Sequence, residues 1–398
     1  MDRRIPYVSL HAKRRGMTTP MVAVALLVAM MGIALIVDRL WLATAQWELT
    51  AAAEAAALAA GREMASDARL LGPSSVPVLM EHAKQAAAEI AAQNLVAGQP
   101  AHIDAEAGDV RFVKTEPSKV PGQSTEWVET DRDPTEVLIR AQRTRFRDNP
   151  VALFMRQLTR QPFGDVVANV AVRMNNHIVA IRPFDDVSAP LLPLAIWKDD
   201  PAKKRKDTWQ AAIEENGGKD QYGYDDTRHL VTTGADGIPE LTLTTAKPKG
   251  PVSEANMQLL DLGTDLDEAL VEQQILLGLS HADLEGRSGE LRLGGGATLS
   301  SIPQLQSRER TALEEHLGSQ RIALLYTQAT PVGKNGYQET ECVDFVAIRI
   351  LAVNDQADGR CQIIVQPTVM TTRMAVAENT TADHRDGNQY LFRLELTH

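Results

Sequence analysis

Few residues in this sequence stand at spacings that would support catalysis. One histidine–carboxylate pair, His281 and Asp283, would suit general acid–base chemistry. This pair lies near a predicted helix end, where such side chains more often make a capping or surface hydrogen bond. The sequence has no G-x-S-x-G elbow, no P-loop and no H-E-x-x-H pair. We therefore predict a protein that is not an enzyme and assign no catalytic residue.

Acidic loop residues suggest a second chemistry, calcium binding. Residues 220–226 and 233–237 contain the carboxylates and glycines that calcium loops use. Neither segment has the D-x-[DN]-x-[DN]-G-x5-E spacing, so polar turns are the favoured interpretation. Residues 294–296 are three glycines without the strand–helix context of a dinucleotide-binding loop. The sequence thus predicts neither a metal nor a cofactor.

The composition is that of an acidic chain able to fold. Of its 398 residues, 44% are hydrophobic and 23% are charged. A chain of this length and composition can bury at least one substantial hydrophobic core, and we expect two. The net charge of −11 argues against nucleic acid as a partner, because such binding needs a basic surface that displaces counterions. Aromatic residues make up only 5% of the chain, which leaves few platforms for base stacking.

An uncharged apolar run, residues 21–37, dominates the N-terminal region, and only Gly32 interrupts its aliphatic side chains. At about 1.5 Å per residue it spans about 26 Å, the lower limit for a helix that crosses a bilayer. Arg39 and Trp41 follow and suit the membrane interface. A cleaved secretory signal is the alternative, but this run is longer than a usual signal core. Basic residues before the run predict a cytoplasmic N-terminus and an extracytoplasmic remainder: Arg3, Arg4, Lys13, Arg14 and Arg15.

The same helix is predicted to continue beyond the membrane, since residues 38–61 lack proline and internal glycine and are rich in strong helix formers. A stripe of small residues at i, i+3, i+4 spacing allows two interpretations. It packs on the protein's own outer domain, or it lets helices of different chains, including a second copy, associate closely. The residues assigned to helix association are Asp38, Glu48, Ala52, Ala53, Glu54, Ala56 and Ala57.

The pattern after the long helix predicts an α+β extracytoplasmic region. A second helix over residues 80–95 would form a hairpin with the first, residues 151–158 a short helix, and two strands would pair across a turn at Asn175 and Asn176. The predicted divisions are a basic cytoplasmic tail (1–16), the transmembrane and extended helix (17–71), a first α+β segment (72–197), a solvated loop or insertion (198–250) and a C-terminal α+β segment (251–398).

The two cysteines are Cys342 and Cys361. In an extracytoplasmic compartment they would be able to form one disulfide that closes a short loop. Two buried free thiols are the alternative. The predicted topology favours the disulfide.

Three motifs follow one another near the N-terminus: Arg14-Arg15-Gly16 before the apolar span, Val37-Asp38 at its outer end, and an alanine-rich helix that begins at Glu48. This order resembles the TadE/TadG-like proteins of tight-adherence (Flp-type) pilus assembly, although Glu54 stands where that family usually has aspartate. Further segments also resemble the group, among them residues 149–150, 190–197, 259–263 and 363–367.

The resemblance implies a non-catalytic, membrane-anchored component of pilus assembly, with a minor pilin-like or scaffold role, in the bacterial inner membrane. Its partners would be other assembly proteins or pilins. The family's processing pattern makes Gly16 and Met17 the candidate cleavage site. Because substrates usually carry glutamate at the fifth position after the glycine, where this chain has Met21, retention of the N-terminus is favoured. The alternative function is a membrane-tethered envelope enzyme or ligand-binding protein that uses the same anchor.

Overall fold

The computed structural model describes residues 18–117, 125–247, 254–333, 336–378 and 387–397. Its helices are α1 (Thr18–Met64), α2 (Val76–Gln93), α3 (Arg156–Thr159), α4 (Glu268–Leu277) and α5 (Ser307–Glu314). Short 3-10 turns join several of these elements, notably Asp67–Leu71 after α1.

The described strands, in chain order, are β1 (Leu95–Val96), β2 (Gln99–Pro100), β3 (Val110–Pro117), β4 (Thr125–Glu129), β5 (Glu136–Arg143), β6 (Val151–Ala152), β7 (Phe163–Gly164), β8 (Val166–Asn175), β9 (Ile178–Ile181), β10 (Leu191–Trp197), β11 (Tyr222–Asp225), β12 (Leu230–Thr233), β13 (Leu241–Thr244), β14 (Met257–Leu260), β15 (Leu291–Arg292), β16 (Ala297–Ile302), β17 (Gln320–Pro331), β18 (Gln338–Asp355), β19 (Cys361–Pro367), β20 (Met370–Thr371), β21 (Ala375–Ala377) and β22 (Leu391–Thr397). With the helices, they confirm the α+β class and the single long apolar helix near the N-terminus.

One layer of the molecule is the helical hairpin of α1 and α2, which confirms the predicted hairpin. It covers a sheet whose described strands run in the order β20-β22-β8-β5-β3-β4. The central strands β5 and β8 lie against α1. A core of small and branched side chains fills the space between the helices and this sheet.

The other layer is a sheet with the order β13-β19-β18-β16-β14-β10-β17 among the described strands. Because β17 also pairs with β18, the strands β18, β16, β14, β10 and β17 form a closed circuit, that is, a small barrel. Only the β10–β17 pairing in this circuit is parallel. Helices α4 and α5 pack on one another beside it, and the larger hydrophobic core lies here.

Local signals explain where α4 begins and ends. The Asp267 carboxylate accepts hydrogen bonds from the N–H groups of Ala269 and Leu270, at 3.0 and 3.2 Å, and so caps the first turn. Gly278 ends the helix with φ of +88°, and a Cβ there would lie 2.1 Å from the carbonyl oxygen of Ala189. Glycine is therefore required at this close backbone approach.

Two predictions of secondary structure were wrong. Strands β8 and β9 do not pair across Asn175 and Asn176: β8 pairs with β5 and β22, whereas β9 pairs with β15 and β21. Residues 151–158 do not form one helix, since they begin with β6 and become helical only at Arg156. In both cases strand pairing decides the outcome over the local pattern, with distant strands for β9 and with the nearby β7 for β6.

Residues 198–247 are not simply a solvated loop. Trp209 is fully buried in the larger core, and its indole N–H donates to the Tyr390 hydroxyl at 3.2 Å. Strand β13, which lies in this segment, forms an edge of the seven-stranded sheet through its pairing with β19. The predicted divisions therefore do not coincide with the sheets, because one buried indole and one edge strand tie this segment into the core.

Candidate functional site

Helix α1 has two halves with opposite surroundings. From Met21 to Ile36 almost every apolar side chain is exposed, with Met21 at 75% and Ile36 at 61%. This half is long and apolar enough to cross a membrane. At about 1.5 Å per residue the whole helix is about 70 Å long, so roughly half of it projects beyond the folded region.

The second half of α1 is buried inside the protein. Its inward stripe has no more than 1% exposure and comprises Ala45, Leu49, Ala52, Ala53, Ala56, Ala57 and Ala60. These side chains belong to the same core as small residues of α2 and branched residues of β5 and β8. At Gly61 a Cβ would lie 3.0 Å from Val172, so the helix and the sheet are in close contact. The sequence left two interpretations of this stripe open, packing within the chain and association between chains. In the structure the stripe packs on the protein's own domain.

Asp38 lies at the boundary between the two halves and is 4% exposed. Its carboxylate accepts a hydrogen bond from the Met155 N–H at 3.1 Å and from the Thr159 hydroxyl at 3.4 Å. These contacts attach the end of the apolar span to α3 and satisfy a buried carboxylate, which would otherwise be costly.

Other polar residues of α1 are engaged within the chain as well. The Glu48 carboxylate accepts from the Ala97 N–H at 2.7 Å, and the Gln46 amide donates to the Val167 carbonyl at 2.8 Å. Glu54 is half-buried and also makes an interaction of its own. The residues assigned to association therefore all serve contacts of this chain; their use between chains stays a prediction.

Residues 16–63 match the Tad family model, described as Flp pilus-assembly TadE/G-like. This segment is TadE/G-like. The match covers α1 almost completely, and it confirms the resemblance seen in the N-terminal motifs. The resemblance of later segments stays a prediction. No curated protein and no solved structure matches the chain.

The predicted processing residues of the TadE/G-like segment, Gly16 and Met17, lie outside the described residues. Cleavage there stays a prediction.

The predicted disulfide was wrong. Cys342 and Cys361 are both buried free thiols. Cys361 pairs with Asp355 at one end of β18, whereas Cys342 lies near the other end of that strand, roughly 40 Å away along an extended chain. A disulfide needs Cα atoms within about 7 Å. Short spacing in sequence does not bring two residues together when a long strand separates them.

The other chemically suggestive segments form turns. The Asp283 carboxylate accepts from the N–H and the hydroxyl of Ser280, both at 2.7 Å, and so caps a turn rather than pairing with His281. The Asp220 carboxylate accepts from the N–H groups of Asp236 and Gly237 at 3.0 Å. Within the described ranges, no group of three or more His, Cys, Asp or Glu residues is arranged to hold a metal ion.

An open cleft of about 700 Å³ lies where α1 meets the second sheet. Its ionisable groups are joined in structural pairs: the Arg349 guanidinium bonds to the Asp67 carboxylate at 2.8 Å and covers the ring of Tyr224. Asp67 also accepts from the Val369 N–H at 2.6 Å. Because Asp67 follows α1 and Arg349 is in β18, this cluster fastens the helical layer to the barrel.

A second polar pair includes Arg321, which lines the same cleft. Arg321 donates to Nδ1 of His316 at 2.7 Å, and Nε2 of His316 lies 2.8 Å from the Ile275 carbonyl oxygen. This arrangement fits a neutral imidazole that accepts at Nδ1 and donates at Nε2. Burial, and then the charge of Arg321, lower the pKa of His316.

Sequence reasoning singled out Trp41 but missed the residues that it and Leu42 contact at the end of the apolar span. The Trp41 indole donates to the Ala152 carbonyl at 3.1 Å, and its ring centroid lies 4.7 Å from that of Phe154. A Cβ on Gly164 would lie 2.5 Å from Leu42. None of these residues belongs to a periodic pattern that predicts the contact. The one usable signal was the presence of three phenylalanines within twenty residues, in a chain with few aromatic residues.

Proposed function

We propose that this protein is a membrane-anchored component of a Flp-type pilus-assembly machinery, with a minor pilin-like or scaffold role and without catalysis. It is a single-pass protein of the bacterial inner membrane, with its N-terminal tail in the cytoplasm and the rest outside. The observation that carries the proposal is the division of the TadE/G-like helix into a bare apolar half and a half that forms the core of the outer domain.

The bare half is the part of α1 available to other proteins in the membrane. An apolar helix without a covering partner is stable only in lipid or against other helices. One face of it presents Ala25, Ala29 and Gly32, and nothing lies within 4 Å of a Cβ on Gly32. Small residues at this spacing allow close helix–helix approach within a membrane.

The buried half limits how the protein can assemble. Exchange of the inward stripe for contacts with a second chain would require α1 to leave α2 and the sheet. We therefore expect pilus proteins to contact the exposed apolar half in the membrane and the outer surface of the folded region.

Photo-crosslinking in native membranes tests the proposal. A photoreactive residue replaces Ala29 in the bare half, and the matched control replaces Ala51, an exposed alanine of the same helix beyond the membrane. We expect the Ala29 position to capture pilus-assembly proteins and the Ala51 position to capture fewer. Capture of no assembly protein at Ala29 would contradict the proposal.

The N-terminal peptide from the same sample separates the two roles. An intact N-terminus in the membrane fraction supports a retained scaffold. A mature chain that begins at Met17 and is recovered from sheared fibres supports the pilin-like role. A chain that lacks residues 1–60 and has no pilus partner would leave the alternative of a membrane-tethered enzyme or binding protein.

A further inference from the structure

A small projection of the outer domain stands beside the membrane boundary of α1. We call residues 145–164 the foot. Within it β6 and β7 pair antiparallel, and the connection between them contains α3. Four of its large apolar side chains face outward: Phe146 is 91% exposed, Phe154 62%, Phe163 41% and Met155 38%. Such a concentration of exposed aromatic side chains marks an interaction surface.

Several contacts fix the foot at the height where the apolar span ends. Asp38 bonds to the Met155 N–H, Trp41 bonds to the Ala152 carbonyl and lies against Phe154, and Leu42 lies against Gly164. All three residues of α1 lie within the five positions that follow the uncharged run. The foot is therefore level with the predicted edge of the hydrocarbon.

The burial of Ala34 shows that the contact extends one turn further into the span. Ala34 is 2% exposed, whereas Ala23, Ala25 and Ala29 of the same bare helix are all exposed. The helix's own side chains therefore do not account for the difference, and a neighbouring segment covers this position. Since α3 is in contact with α1, we assign that cover to the foot.

The foot is also basic, in contrast to the net charge of −11 of the chain. Arg156 and Arg160 are exposed, and the described part of the chain offers no ion pair to either. Arg39 is exposed at the same height on α1. Arg145 is paired with Asp165 at 3.3 Å, but its side chain is 68% exposed. Aromatic and basic side chains together are the composition of a membrane–water interface.

We propose that the foot is a lipid-binding surface that inserts Phe154, Met155 and Phe163 into the headgroup region of the outer leaflet, with Arg156 and Arg160 on lipid phosphates. The proposal deepens the proposed function and rests on the anchoring of α1 in the membrane. A bilayer is the favoured occupant, because the surface continues the membrane-spanning helix without a gap and its charge is complementary to anionic lipid.

The consequence is a second point of attachment to the membrane. A single helix leaves a domain free to tilt, whereas a helix and an adjacent foot together fix its height and its tilt. The bond between Asp38 and α3 makes the two attachments one rigid unit.

Depth-dependent fluorescence quenching of the full-length protein in vesicles tests the proposal. An environment-sensitive probe is attached to Phe154→Cys, and the fully buried Cys342 and Cys361 stay in place. The vesicles contain phosphatidylcholine, with or without phosphatidylglycerol, and a lipid with a quencher near its headgroup. Trp127→Cys is the matched control, since Trp127 is an aromatic residue exposed to a similar 57% on β4. Leu27→Cys, in the bare half of α1, reports whether the helix is inserted.

We expect the quencher lipid to quench the probe at Phe154→Cys and, with a quencher placed deeper, the probe at Leu27→Cys, but not the probe at Trp127→Cys. The double change Arg156→Glu/Arg160→Glu should reduce quenching at Phe154→Cys most in vesicles with phosphatidylglycerol. Thermal unfolding of each labelled variant checks that the fold is kept.

The other outcomes separate the two proposals. Quenching at Leu27→Cys without quenching at Phe154→Cys would overturn the lipid-binding foot and leave the anchor intact. Absence of quenching at both positions would overturn the anchor as well. If a crosslinker at Phe154 in native membranes captures a protein and the position is shielded from lipid, a protein partner rather than the bilayer occupies the surface, and the proposal is wrong.

Discussion

Replacement of Ala53 by leucine tests whether the alanine stripe is part of this protein's own core. Ala53 is a residue of α1 and is fully buried in the core that α1 forms with α2 and with the sheet containing β5 and β8. Leucine would add three carbon atoms where packing leaves no space for them. Overpacking of this kind usually costs about 1–3 kcal/mol.

Ala51→Leu is the matched control. Ala51 is an exposed residue two positions earlier in the same helix. Both variants make the same chemical change, and leucine and alanine differ in helix propensity by only about a few tenths of a kcal/mol. The two variants therefore differ mainly in whether the substituted position is buried. At about 2 °C per kcal/mol for a large chain, Ala53→Leu should lower the Tm by about 2–6 °C and Ala51→Leu by less than about 1 °C.

The measurement is thermal unfolding of the full chain in detergent, followed by circular dichroism in the helical band, with chemical crosslinking to report self-association. Equal Tm values for the two variants would refute the packing argument. If Ala53→Leu left the Tm unchanged but abolished crosslinking, the stripe would instead be a contact between chains.

Gly278→Ala should destabilise the protein by about 2–4 kcal/mol because it adds left-handed strain and a clash with a backbone carbonyl, whereas Gly294→Ala has open space and should change little; calorimetry of both variants checks this, and equal unfolding temperatures would contradict it. The lowered pKa of His316 in the folded state means that the unfolded state binds its proton more readily, so this residue's contribution to stability should be lost as the pH falls through about 6.5. His316→Gln should lack that component in urea titrations on either side of this pH, and an unchanged difference would count against the neutral imidazole. Burial raises the pKa of Cys342 to about 12 and of Cys361 to about 11, so both should resist iodoacetamide until urea unfolds the chain; a disulfide-linked peptide in the mass spectrum would contradict the strand register.

The parts of the fold that could be predicted from sequence are those set by local periodicity. The apolar run and the alanine-rich stretch after it predict α1, and the helix predicted over residues 80–95 predicts the hairpin that α1 forms with α2. The apolar run and its flanking motifs also predict the membrane-spanning half of the candidate site. These signals depend on neighbours within a few residues of one another.

Strand partners and the foot could not be predicted because they depend on distant contacts. Nothing near Asn176 in the sequence shows that β9 turns away from β8 to pair with β15 and β21. Trp209 lies in a charged segment, and its burial depends on its contact with Tyr390, which is distant in sequence. Phe154 lacks apolar periodicity around it and gains its position from Trp41, more than a hundred residues earlier.

The place of β22 in the first sheet has a consequence for how the protein is made. Arg393 of β22 pairs with Asn175 of β8, more than 200 residues earlier in the chain. At a synthesis rate of about 5–20 residues per second, β8 waits roughly 10–40 s for this neighbour. During that interval one edge of the sheet seated on α1 is open and able to pair with another nascent strand. Completion of this sheet thus waits for the C-terminal strand, and a chaperone that shields open strand edges would raise the yield of this protein more than one that acts on the helix.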